Sequence, residues 1–189
     1  HYWAAAQFAQ SGVDFLYAAL MPTVKEAAGM ALAISETRIP YMISFTIQKS
    51  GRLIDGTPIA DAIRYIDGLT KRRPACYMTN CVHPKIVWEA LSHPFNQCDA
   101  VRTRFRGIQA NTSSLSYDML DASQALHTSD PDDLARWMIR LNDRIPVKIY
   151  GGCCGTDGRH METIAEQIRQ NFSTKCYSLM PICLSESIA

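Results

Sequence analysis

Hydrophobic and polar positions alternate along this chain in a repeating unit: a short apolar run, a polar loop, then an amphipathic stretch of helical period. The chain opens on an alanine-rich helix over Tyr2–Gln10, with Ala4, Ala5 and Phe8 at helical spacing and Gly12 placed to end it. The first strand is predicted over Val13–Tyr17, and its helix opens at Pro22 with Val24, Ala27, Ala28, Ala31 and Ile34 on one face. Tyr41–Phe45 reads as a second strand. The helix after it opens at Thr57-Pro58 and carries Ile59, Ala62, Ile63, Ile66 and Leu69 as its buried stripe. A third strand over Ala75–Thr79 precedes Asn80-Cys81 and a helix from Pro84 with Ile86, Val87, Ala90 and Leu91.

A fourth strand lies within Arg104–Ala110, followed by a loop through Asn111–Asp121. The next helix is capped by Asp130, starts at Pro131, and buries Leu134, Trp137, Met138 and Leu141. The fifth strand, Pro146–Tyr150, runs into a Gly-Gly-Cys-Cys-Gly turn and a helix with Met161, Ile164, Ala165 and Ile168 on one side. Residues 173–189 have no clear period and form an unassigned tail beyond a 1–172 domain. Five strand–helix units imply an α/β fold on a parallel sheet. Two architectures fit them: a complete five-stranded open sheet, or five units of an eight-unit (β/α)8 barrel, which typically needs about 250 residues.

Composition narrows the function. The 189 residues are 47% hydrophobic and 20% charged, as in a folded globular domain. With 19 basic and 18 acidic residues the formal net charge is +1, which gives no electrostatic basis for a nucleic-acid or membrane-surface partner. The longest apolar runs, around Ala27–Ile34 and Tyr41–Phe45, fall well short of the roughly 20 residues of a membrane span. Seven cysteines, an odd number, suit a reducing compartment better than a disulfide framework, and a cytoplasmic location is expected. Cys76, Cys98, Cys176 and Cys183 stand alone, whereas Cys153 and Cys154 are adjacent within Gly151-Gly152-Cys153-Cys154-Gly155-Thr156.

Cys81 is expected just past the end of the third strand and Cys153-Cys154 just past the fifth, on the sheet edge where parallel α/β folds build their sites. Adjacent residues of a regular strand face opposite ways, so convergence of both thiols requires a kink, for which Gly151, Gly152 and Gly155 supply the freedom. Three thiolates suit Zn²⁺ and leave its fourth position open, the mark of a catalytic rather than a structural zinc. A strained vicinal disulfide or simple core filling are the other readings of the same cysteines. Other singled-out residues have plainer roles. His83 supports the turn before Pro84, His160 is exposed or caps the last helix, Trp137 and Met138 are core, and Lys71-Arg72-Arg73 is a solvated helix end.

The segment Gly151–Asp157, with Arg159-His160 and Ile164-Ala165, resembles the C-terminal signature of the zinc-dependent homocysteine S-methyltransferases. Asn80-Cys81, shortly before Pro84, is similar to the family's other zinc-cysteine segment. Gly12-Val13-Asp14, Ser44-Phe45, Asp55-Gly56, Ala110–Ser113, Leu120-Asp121 and Asp130-Pro131 are supporting matches, so the resemblance runs from about Gly12 to Ile168. It implies a (β/α)8 TIM-type barrel of which this chain supplies roughly the last five βα units, with Cys81, Cys153 and Cys154 as ligands of Zn²⁺. It also implies an enzyme whose zinc-bound thiolate takes a methyl group from a sulfonium, quaternary ammonium or folate donor to give methionine. The partners are then a small-molecule thiol and a methyl donor, and a homo-oligomer is compatible with the open strand edges.

The family carries Glu-Thr where this chain has Ala19-Leu20, and that glutamate helps hold the homocysteine amino group. The departure gives the competing expectation of a non-catalytic or altered-specificity zinc- or thiol-binding relative. The family's first three strands, with an acidic glycine-rich segment, have no counterpart in the sequence, so the chain is expected to be part of a longer protein or a truncated form.

Overall fold

The structure is a computed structural model; it describes residues 1–114 and 128–176, with side chains through Phe172. Helix α1 (Tyr2–Gln10) precedes strand β1 (Leu16–Met21), α2 (Val24–Ser35), β2 (Tyr41–Phe45), α3 (Ile59–Leu69) and β3 (Cys76–Val82). Then come α4 (Pro84–Leu91), the short α5 (Asp99–Arg104), β4 (Phe105–Ala110), α6 (Pro131–Arg140), β5 (Ile149–Gly152) and α7 (Gly158–Cys176). Leu120-Asp121, most of the expected fourth loop and the tail beyond 176 lie outside the described residues.

Among the described residues all four strand pairings are parallel and the order is β1-β2-β3-β4-β5. A doubly wound sheet reverses its order at a switch point. This one never does; each strand is laid beside the last, as in a sector of a (β/α)8 barrel. The face toward the helices holds Ile43, Phe45, Tyr77, Phe105 and Ile108, all at most 1% exposed. These residues, with Ala27, Ala31, Ile59, Ile63, Ile66, Val87 and Leu134, form the hydrophobic core.

The other face is the hollow of the curved sheet. Register neighbours fix its membership: Tyr17 beside Met42, Met42 beside Cys76, Ser44 beside Met78, Met78 beside Gly107, and Asn80 beside Gln109. Tyr17 Oη donates to Gln109 Oε1 at 2.9 Å although β2 and β3 lie between their strands. Four strands at ~4.8 Å spacing put β1 and β4 roughly 14 Å apart along the sheet, so this bond is made across the hollow.

Helix starts follow the local chemistry. Thr23 caps α2 by accepting from Glu26 N–H, so the helix starts at Val24, two positions later than the Pro22 start that the pattern predicts. Asp130 caps α6 as expected, accepting from Asp132 and Asp133 N–H. The α3 stripe is buried as expected except for Leu69, which closes the helix and is 41% exposed. Three strand expectations shift. β1 runs Leu16–Met21 rather than Val13–Tyr17, β3 runs Cys76–Val82 rather than Ala75–Thr79, and β5 runs Ile149–Gly152 rather than Pro146–Tyr150.

Candidate metal centre

Strand β3 carries Cys81 and the end of β5 delivers Cys153 and Cys154, with β4 between them. Cys81 sits inside β3, one residue before its end, not beyond the strand as the sequence suggests. Two local distortions bring its sulfur to the rim. Cys81 has φ 60°, the left-handed region, and the pairing of β3 with β4 slips between Asn80 and Val82. A non-glycine residue there costs about 1–2 kcal/mol, which the surrounding contacts must offset.

The vicinal pair is folded by a tight turn in which Thr156 N–H donates to Cys153 O at 3.2 Å. Gly155 occupies its third position at φ 81°, the residue type that conformation favours. Gly151 and Gly152 serve a different purpose from the expected kink: they pair with Gln109 and Ala110 as regular strand residues. A side chain at Gly152 would strike Thr156, whose Oγ1 donates to Cys153 O at 2.7 Å. The turn is also stitched to the end of β4, since Cys153 N–H donates to Ala110 O and Thr112 N–H to Cys154 O.

The three sulfur atoms lie within 4.8 Å of one another, with Cys81 Sγ 3.4 Å from Cys154 Sγ and Cys153 Sγ 4.0 Å from Cys154 Sγ. Sulfurs bound at ~2.3 Å to one tetrahedral ion stand about 3.8 Å apart, so these separations suit a single zinc. All three are free thiols, and Cys154 is exposed, which removes core filling as their common role. Asn111 N–H groups contribute too: its buried side-chain Nδ2 donates to Cys81 Sγ at 3.6 Å while its Oδ1 accepts from Ser113 N–H.

Burial pushes the Cys81 thiol up, the hydrogen bond with Cys154 opposing it. The contact with Cys81, then burial, pushes the Cys154 thiol up as well. Neither is therefore a thiolate at neutral pH by virtue of the protein alone. Burial likewise raises the Tyr17 hydroxyl, against the hydrogen bond with Ser44.

The singled-out histidines act through structure. His83 caps α4, accepting from Lys85 N–H at Nδ1. His160 caps the last helix, as one of its two expected roles has it, but is 2% exposed rather than at the surface: Asp157 N–H donates to Nδ1 at 3.2 Å, Nε2 donates to Ser129 O at 2.9 Å, and Nδ1 also faces Asp157 Oδ1 at 2.7 Å. Arg159, then His160, hold the Asp157 carboxyl well below the usual carboxylate range. Met138 is core, Trp137 is only partly buried and packs edge-on against Trp88, and Lys71-Arg72-Arg73 is exposed. Sequence reasoning missed Ser44, Gln109, Leu20 and the side-chain role of Asn80; their bonds join positions up to 92 residues apart and leave no local signal.

Residues 1–168 match the family model described as homocysteine S-methyltransferase. The chain belongs to that family. Among solved structures it is similar to the homocysteine methyltransferase MmuM from Escherichia coli in its apo form, with 19% identity and a TM-score of 0.59. The match covers 88% of this chain and 57% of that one, so the chain spans little more than half of that relative's length. At this identity the likeness establishes the fold, and it agrees with the unreversed strand order. No curated protein matches the chain.

Proposed function

We propose that this chain carries the metal and thiol half of a homocysteine S-methyltransferase site, with Cys81, Cys153 and Cys154 as the zinc ligands. The observation that supports it best is the meeting of three free thiols, drawn from β3 and the end of β5, at the strand ends of a barrel sector. A zinc ion held by these three sulfurs would keep an acceptor thiol ionised at neutral pH. The acceptor sulfur then forms a bond to the donor's methyl carbon while the carbon–donor bond breaks and its electron pair leaves with the donor. Asn111 steadies the Cys81 sulfur, and the hollow lined by Tyr17, Ser44, Asn80 and Gln109 is where an acceptor would be oriented.

Ala19 favours a second reading. It stands next to Leu20 at the end of β1 and offers only a methyl group, so a binding protein or an enzyme for a different thiol is the competitor. Metal analysis with methyl-transfer assays separates the two, using homocysteine with S-methylmethionine, betaine or methyltetrahydrofolate. The enzyme reading expects one zinc per chain and transfer from one of these donors. Stoichiometric zinc with no transfer from any of them supports the competitor. Cys81→Ser and Cys153→Ser are each expected to lose stoichiometric zinc; full occupancy in either variant contradicts the ligand assignment.

A further inference from the structure

Several distortions near the candidate centre meet at one atom, the side-chain carbonyl oxygen of Asn80. It accepts from Leu20 N–H at 3.1 Å and from Ser44 Oγ at 2.6 Å. Strand β2 separates β1 from β3, so Leu20 N–H turns out of its own ladder and reaches over a neighbouring strand. Leu20 has φ 56°, and the pairing of β1 with β2 slips between Ala18 and Met21. Cys81, bonded directly to Asn80, has φ 60°, and the pairing of β3 with β4 slips between Asn80 and Val82. Among the described residues the left-handed non-glycines are Leu20, Arg38 and Cys81; two of them are thus tied to Asn80, one by a hydrogen bond and one by the peptide link. A backbone N–H can only donate, so the amide must turn its oxygen to Leu20. Asn80 is 6% exposed and Ser44 fully buried, so water does not compete for the bonds.

We propose that Asn80 is a positioning residue of the thiol centre: its oxygen locks the ends of β1, β2 and β3 in the conformation that presents Cys81 Sγ to Cys154. This rests on reading the three cysteines as metal ligands. Without the acceptor, Leu20 N–H loses its partner and the two left-handed residues are free to relax toward extended backbone. In a regular strand residue 81 faces opposite to residue 80, so that relaxation carries the Cys81 sulfur away from Cys154. Partners that orient a ligand without touching the metal typically govern metal affinity by about 10–100-fold.

The test uses the full-length protein with Zn²⁺, measured by chelator competition, and Co²⁺, read by its absorption spectrum. Asn80→Ala is expected to weaken zinc roughly 10–100-fold and to alter the cobalt d–d and thiolate charge-transfer bands. Ser44→Ala, which keeps the Leu20 bond, is expected to move both readouts in the same direction by less. Thr79→Val is the control, because it removes a buried bond to Phe45 O from the neighbouring residue on the other face of the strand. It is expected to lower stability and leave both metal readouts unchanged. Wild-type affinity and spectrum in Asn80→Ala, or in Ser44→Ala should the first variant not fold, would overturn the proposal. So would a shift in Thr79→Val as large as in Asn80→Ala. A wild-type chain that binds neither ion overturns the metal assignment itself and the clamp with it; failure of the clamp alone leaves wild-type binding intact.

Discussion

Ala19 is the side chain on which acceptor choice turns. The family resemblance leads one to expect a glutamate there, and the structure places the residue on β1, beside Leu20 and its bond to Asn80. A carboxylate at this rim would offer an ammonium a charge-assisted hydrogen bond. Ala19→Glu is therefore expected to tighten homocysteine binding by about tenfold, or ~1.4 kcal/mol, in calorimetric titration of the zinc-loaded protein. Unchanged affinity would mean that the amino group is held by other residues. The cysteines themselves were legible because their type and spacing carry chemistry in a short segment. Asn80 and Gln109 were not, because an amide gives no hint of a bond to a strand it does not neighbour. Of the two roles open to His160, exposure fails and capping holds: Asp157 N–H donates to its Nδ1 at the start of the last helix, while the Ser129 carbonyl and Asp157 enclose the ring.

At the scale of elements, β2 reads directly from Tyr41–Phe45, while β1 and β5 are displaced by a few residues. The reason lies in composition. Phe15–Met21 is an unbroken apolar run with no polar alternation to fix a register, and Ala18-Ala19 weakens any strand signal. Gly151-Gly152 reads as a turn by propensity, yet tertiary pairing with Gln109 and Ala110 makes it strand. Glycine in this sheet has a packing reason that propensity ignores. At Gly107 in β4 an added Cβ would lie 2.9 Å from Ile149 Cβ and 3.2 Å from Met78 Cβ, both on neighbouring strands. Those atoms sit at the backbone and cannot swing aside. Gly107→Ala is expected to destabilise the chain by about 1–3 kcal/mol in urea unfolding; a change under a few tenths would show that β4 and β5 can separate freely.

The whole molecule divides its labour between the two ends of the sheet. At the lower end Arg104 grips Asp67 with Nε at 2.9 Å and a second nitrogen at 3.1 Å, while Tyr77 Oη donates to the same carboxylate at 2.8 Å. Arg104 also reaches the carbonyls of Pro74 and Ala75, so α3, the approach to β3 and the start of β4 are held together. At the upper end the sulfurs gather. Arg104→Ala is thus expected to lower stability by about 2–3 kcal/mol while leaving zinc stoichiometry untouched. Loss of metal in that variant would mean that the two ends are not independent. The barrel sector was foreshadowed by five repeating units, but the choice against an open doubly wound sheet required the strand order, which periodicity does not encode.

Cys81 and Cys154 are 73 residues apart along the chain. An ion gripped by both would act as a clasp closing that span, and it would hold the folded chain far better than the unfolded one, where the sulfurs drift apart. Scarcity of the ion would then threaten more than turnover: how long the protein survives in its native shape would follow the metal supply of its surroundings.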